Sequence, residues 1–71
     1  MSERVFLADE ALRRFLSDEM NSLRRYAMSL TGSLEDADDV VQTTVEKVLN
    51  GGLPVEAPKA WLVREIGRAH V

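Results

Sequence analysis

Glu35, Asp36, Asp38, Asp39 and Glu46 crowd one stretch of this chain, with the amide of Gln42 among them. Carboxylates at such spacing can do three kinds of work. Buried and raised in pKa, a pair can act as general acid and base. Converging with histidine or cysteine, they can hold a metal ion. Exposed along one helical face, they can dock on a basic surface. The first use is not expected, because Asp36, Asp38 and Asp39 stand among polar neighbours with no sign of a pocket that would strip their water. The chain is therefore not read as an enzyme. The second fails on supply: there is no cysteine, and the single histidine, His70, stands at the far end. No metal site and no cofactor are expected.

The third use requires a helix that keeps these groups in line. Gly32 is a natural stop for a preceding helix, since glycine takes the left-handed conformation without penalty. Ser33 then serves as N-cap of a second helix, and Ser33-x-x-Asp36 has the capping-box spacing with Asp in place of Glu or Gln. Glu35, Asp36, Asp38 and Asp39 lie where the helix dipole favours anions. That accounts well for Glu35 and Asp36. It accounts less well for Asp39, Gln42 and Glu46, which continue turn by turn along one side. Leu34, Ala37, Val40, Val41, Thr44, Val45 and Val48 form the apolar side, and Glu35, Asp39, Gln42, Glu46 and Asn50 the opposite one. The β-branched run from Val40 to Val48 leaves a strand as the alternative, but the 3.6-residue partition of polar and apolar positions favours helix.

The preceding helix is expected from about Ala8 to Leu30. Ala8, Leu12, Phe15, Leu16, Met20, Leu23, Tyr26, Ala27 and Leu30 share one stripe at three- and four-residue spacing. Glu19 intrudes beside that stripe and allows a kink near Ser17–Asp18. Asn50-Gly51-Gly52 ends the second helix, a loop with two prolines follows, and Pro58 suits the first turn of a third helix. Trp61 and Leu62 would pack onto the first two helices, and Tyr26 and Trp61 are read as core aromatics. The fold class is all-α: an antiparallel two-helix hairpin plus a short third helix.

With 71 residues and a net charge of −3, there is room for one small domain, burying roughly 60% of its unfolded surface. A duplex-binding protein usually shows a basic face. The charge balance here points to a basic protein partner, with any nucleic-acid contact local. No apolar run approaches the roughly 20 residues of a spanning helix, and the N-terminus lacks the pattern of a signal peptide. A cytoplasmic protein with no membrane partner is expected.

The order Tyr26-Ala27, Leu30-Thr31-Gly32, Asp36-Ala37-Asp38-Asp39-Val40-Val41-Gln42 and Trp61-Leu62 resembles region two of bacterial sigma factors of the extracytoplasmic-function type. The similarity covers roughly Leu23 to Arg64. The resemblance implies a transcription initiation factor whose second helix docks on the clamp helices of the RNA polymerase β′ subunit. Carried over by position, the polymerase-binding residues would be Asp39 and Gln42, with Asp38, Thr43 and Glu46 beside them. Asp38 stands where the family has Glu, which keeps the charge and shortens the reach. Arg24 and Arg25 would be the nucleic-acid-binding candidates, as phosphate contacts near melted promoter DNA. Two arginines without interleaved aromatics are a thin basis for that role, and a solvated helix face explains them as well. Promoter DNA would be a partner only of the full-length parent. The alternative is a sigma-mimic or helical adaptor that binds an anti-sigma factor and never contacts DNA. A plain helical interaction module is the third class.

The family pattern after Trp-Leu holds through Arg64 and then breaks. Glu65 falls where an apolar residue is expected, four residues after Trp61 and on the same helical face. Glu65 to Val71 is also what GAG ATC GGA AGA GCA CAC GTC encodes, a string resembling a widely used short-read sequencing adapter. The expectation is a partial region-two domain over residues 1–64, followed by a non-native tail over 65–71 from adapter read-through. Glu65 should then be exposed or should splay the helix after Arg64.

Overall fold

The computed structural model describes residues 5–70, and within them the chain forms three helices. They are α1 (Asp9–Thr31), α2 (Leu34–Gly51) and α3 (Pro58–His70). The fold is all-α, as the periodicity requires. Residues 1–4 and Val71, the last residue of the expected tail, lie outside the described residues.

Each helix end has a local cause. Gly32 stops α1 at φ 73° and donates its N–H to the Met28 carbonyl at 2.8 Å. Ser33 caps α2, its Oγ accepting from the Asp36 N–H at a long 3.4 Å. The reciprocal half of the capping box is made by Thr31 and not by Asp36. Thr31 Oγ1 accepts the Ser33 N–H at 3.3 Å and donates to the Ser33 carbonyl at 3.0 Å. Aspartate is one methylene shorter than the usual glutamate, and Thr31, two residues before the cap, takes its place. Val40 to Val48 is helical throughout, so the strand alternative fails. Ahead of α3, Ala57 takes a left-handed φ of 53° and its carbonyl accepts the Trp61 N–H at 3.1 Å.

The core draws on every element. Leu12, Leu16, Leu23 and Ala27 come from α1, Ala37, Val41 and Val48 from α2, and Leu62 and Ile66 from α3. Leu53, from the loop, is fully buried among them. Phe15, Met20, Tyr26, Leu30, Val40, Val45 and Trp61 pack against this core from partly buried positions. Leu34 departs from the expected apolar side and is 64% exposed. It is the first residue of α2, and helical side chains lean toward the N-terminus. Its side chain therefore projects past the turn that joins α1 to α2.

Two carboxylates depart from expectation, each through a lysine on another helix. Glu19 does not break α1, which runs uninterrupted; its Oε1 lies 3.0 Å from Lys59 Nζ on α3. Glu65 is neither exposed nor a point of splaying. Its side chain is only 7% exposed, and α3 continues through it. Lys47 Nζ donates to Glu65 Oε1 at 3.0 Å and Arg68 Nη1 to Oε2 at 3.3 Å. Lys47 keeps its side chain 65% exposed, so the ammonium stays in water while reaching the carboxylate. A buried charge held by hydrogen-bonded cations on both oxygens escapes the penalty of an unpaired one.

The segment before α1 is held by main-chain bonds absent from any helical pattern. Leu7 N–H donates to the Leu53 carbonyl and Val55 N–H to the Val5 carbonyl, both at 2.8 Å, framing an antiparallel bridge between Phe6 and Pro54. This clamp crosses Gly52, whose φ is 90°. A Cβ there would stand 3.0 Å from Phe6 Cδ1. Gly52→Ala combines a left-handed backbone with a steric conflict and should destabilise the fold by about 1–3 kcal/mol. Urea melts of the two proteins check this, and equal midpoints would show that the Phe6 contact does not hold the glycine in place.

Candidate docking site on the second helix

The 3.6-residue repeat that buries Ala37, Val41, Thr44 and Val48 turns the other side of α2 outward. Asp39, Gln42, Thr43 and Glu46 are all exposed there. Thr44, the polar residue on the buried side, donates its hydroxyl to the Val40 carbonyl at 2.9 Å and so needs no outside partner. Asp38 sits at the edge of the exposed face, its side chain 48% exposed.

These five residues do not form one flat strip. Asp38, Gln42 and Glu46 border a hollow of about 340 Å³ between α2 and α1, closed on the α1 side by Met20 and Arg24 and floored by Val41 and Val45. Asp39 and Thr43 border a second hollow of about 340 Å³ with Asp36, Thr31, Val40 and Ala69 of α3. The α2 ridge thus stands between two shallow grooves, a shape that a helix or helical hairpin can straddle. In the sequence, Met20 and Val45 are members of apolar stripes and nothing more. Their place under the polar rim depends on how α1 and α2 are juxtaposed, which no local pattern encodes.

The two arginines separate. Arg24 Nε lies 3.3 Å from Asp38 Oδ1, bridging α1 to α2. Arg25 is exposed and makes no ion pair among the described residues. The acidic face of α2 therefore lies beside one arginine already engaged with it. Among the described residues no group of three or more histidine, cysteine or acidic side chains converges as a metal site would require. No helix among the described residues is long and apolar enough to cross a membrane.

Three mutually packed helices with an acidic, outward-facing second helix are consistent with a domain like region two of sigma factors. A family model described as the Sigma2 domain of PhyR matches residues 16–64, from within α1 through α2 to the first half of α3. The chain belongs to that family. No curated protein and no solved structure gives a significant match.

Proposed function

We propose that the chain is a protein-docking module that uses α2 as sigma factors of the extracytoplasmic-function type use region two, against the β′ clamp helices of core RNA polymerase. The observation that carries this reading is the joint exposure of Asp39, Gln42, Thr43 and Glu46 on a helix whose opposite side is buried. A carboxylate–amide–hydroxyl–carboxylate row suits a helical surface rich in arginine and lysine. Promoter recognition, in this reading, belongs to further segments of a full-length parent.

A second reading is a sigma-mimic that engages an anti-sigma factor and leaves DNA alone. The state of Arg24 favours it: its guanidinium is engaged with Asp38, and a net charge of −3 supplies little counterion release on nucleic acid. The two readings part in a co-precipitation assay with purified core polymerase in one arm and an anti-sigma factor from the same bacterium in the other. Retention by polymerase supports the first, retention by the anti-sigma factor alone the second, and retention by neither removes both.

Either way, the chain by itself should not bind promoter DNA specifically, because specific readout needs groups that reach base edges. Gel-shift titration with single-stranded minus-ten DNA should show no shift below the micromolar range. A salt-sensitive submicromolar complex would reverse this, and Arg25 would then be the first residue to replace.

For the residues after Arg64 we propose an origin in adapter read-through. The reading rests on the coding equivalence of Glu65 to Val71, and the family match ends at Arg64. Burial of Ile66 selects an apolar residue type four positions after Leu62 and is silent on origin. Independent sequencing of the source locus past codon 64 tests it, and a native frame encoding the same seven residues would overturn it.

A further inference from the structure

The hollow between α1 and α2 carries more than its share in the docking face. Its floor is apolar, made by Val41 and Val45 with Met20 as the α1 wall, and its rim is charged, with Glu46 and the Arg24–Asp38 pair across it. Asp38 Oδ1 is closed off from water yet accepts no hydrogen bond. Arg24 Nε approaches it at 3.3 Å as an ion pair without hydrogen-bond geometry. A carboxylate oxygen in that state is under-satisfied, and a better-aimed donor gains the full value of a charge-assisted bond.

We infer that Arg24 is a built-in competitor for the partner. The partner's helix places an apolar side chain over Met20 and Val45, and its own arginine or lysine takes Asp38 from Arg24. Charge complementarity fixes the partner's chemistry. With Asp38 and Glu46 on the rim and Arg24 released, the hollow presents carboxylates around an apolar floor. It therefore selects a helix bearing a hydrophobic anchor flanked by cations. The exchange is inexpensive because the Arg24 side chain, 54% accessible, returns to water on release, and the Asp38 side chain is 48% accessible as a whole although its Oδ1 is closed off. Such pairs contribute little in water. Arg24 thus restrains affinity and, by holding Asp38, disfavours partners that bring no cation.

This inference rests on α2 being the docking face and can fail without it. The probe is a soluble fragment of the β′ clamp helices, titrated against the full chain, Arg24→Gln, Asp38→Asn and the double variant. Arg24→Gln should tighten binding about two- to fivefold at low salt, the range that exposed ion pairs allow. The gain should vanish in about 0.5 M salt, where exposed charges are screened. Asp38→Asn should weaken binding, and adding Arg24→Gln to it should bring no further gain. Unchanged or weaker binding by Arg24→Gln, with the unmodified chain still binding, would overturn the competitor role and leave the docking face standing. No binding by the unmodified chain would remove both. Arg24 lies on an exposed helix surface, where glutamine is nearly as good a helix former; equal helicity by circular dichroism separates a binding effect from unfolding.

Discussion

A chain ending at Arg64 is expected to lose most of its cooperative unfolding transition. The sequence pattern points the other way, to a tail that contributes nothing. The structure places Ile66 at 0% exposure in the core and clasps Glu65 between Lys47 and Arg68. Deleting a buried isoleucine costs about 2–5 kcal/mol, and truncation also leaves Lys47 without its carboxylate and shortens α3 to its first turns. A domain of this size has about 3–5 kcal/mol of stability in total. Truncation should therefore flatten the thermal melt monitored at the helical circular-dichroism minimum. Ile66→Ala in the full chain should reproduce most of the effect, and Glu65→Gln a smaller part. A truncated chain melting like the parent would mean that α3 is secured by Leu62 alone and that residues after Arg64 are ornamental to the fold.

The parts of the structure governed by neighbours in sequence are legible in the residues. The stripes of α1 and α2, the glycine stop at Gly32 and the serine cap at Ser33 follow from 3.6-residue periodicity and capping chemistry, which act over one or two turns. Pro58 likewise opens α3 where expected. What escapes is long-range. Leu53 sits in a proline-containing loop with no period to mark it, yet it is fully buried, because the Val5–Leu7 segment pairs with Leu53–Val55 through main-chain bonds that carry no side-chain signature. Glu19 and Glu65 look misplaced on apolar faces until Lys59 and Lys47, on other helices, supply their partners. Leu34 errs the other way, apolar in type but placed beyond the reach of the core.

The candidate site divides along the same line. Exposure of Asp39, Gln42, Thr43 and Glu46 follows from the repeat that buries Val41 and Val48. The hollows on either side of that ridge, and the bridge from Arg24 to Asp38, need the juxtaposition of α1, α2 and α3. Arg24, a candidate phosphate contact together with Arg25, is also an ion-pair partner of Asp38 at the edge of the acidic face. That places it beside the proposed docking surface, while Arg25 is exposed and makes no ion pair among the described residues.

The second large effect concerns binding. Asp39 and Gln42 are exposed on α2 and are not members of the core, so replacing both with alanine should leave stability within about 0.5 kcal/mol. Binding should respond strongly, since a few central residues carry most of an interface's energy. The most direct measurement is an isothermal titration of the β′ clamp-helix fragment with the chain and with its Asp39→Ala, Gln42→Ala double variant, both verified as folded. The predicted result is saturable binding by the parent and a loss of affinity of about tenfold or more in the variant, roughly 1.4 kcal/mol for each factor of ten. Equal affinities for the two proteins would contradict the assignment of α2 as the docking surface.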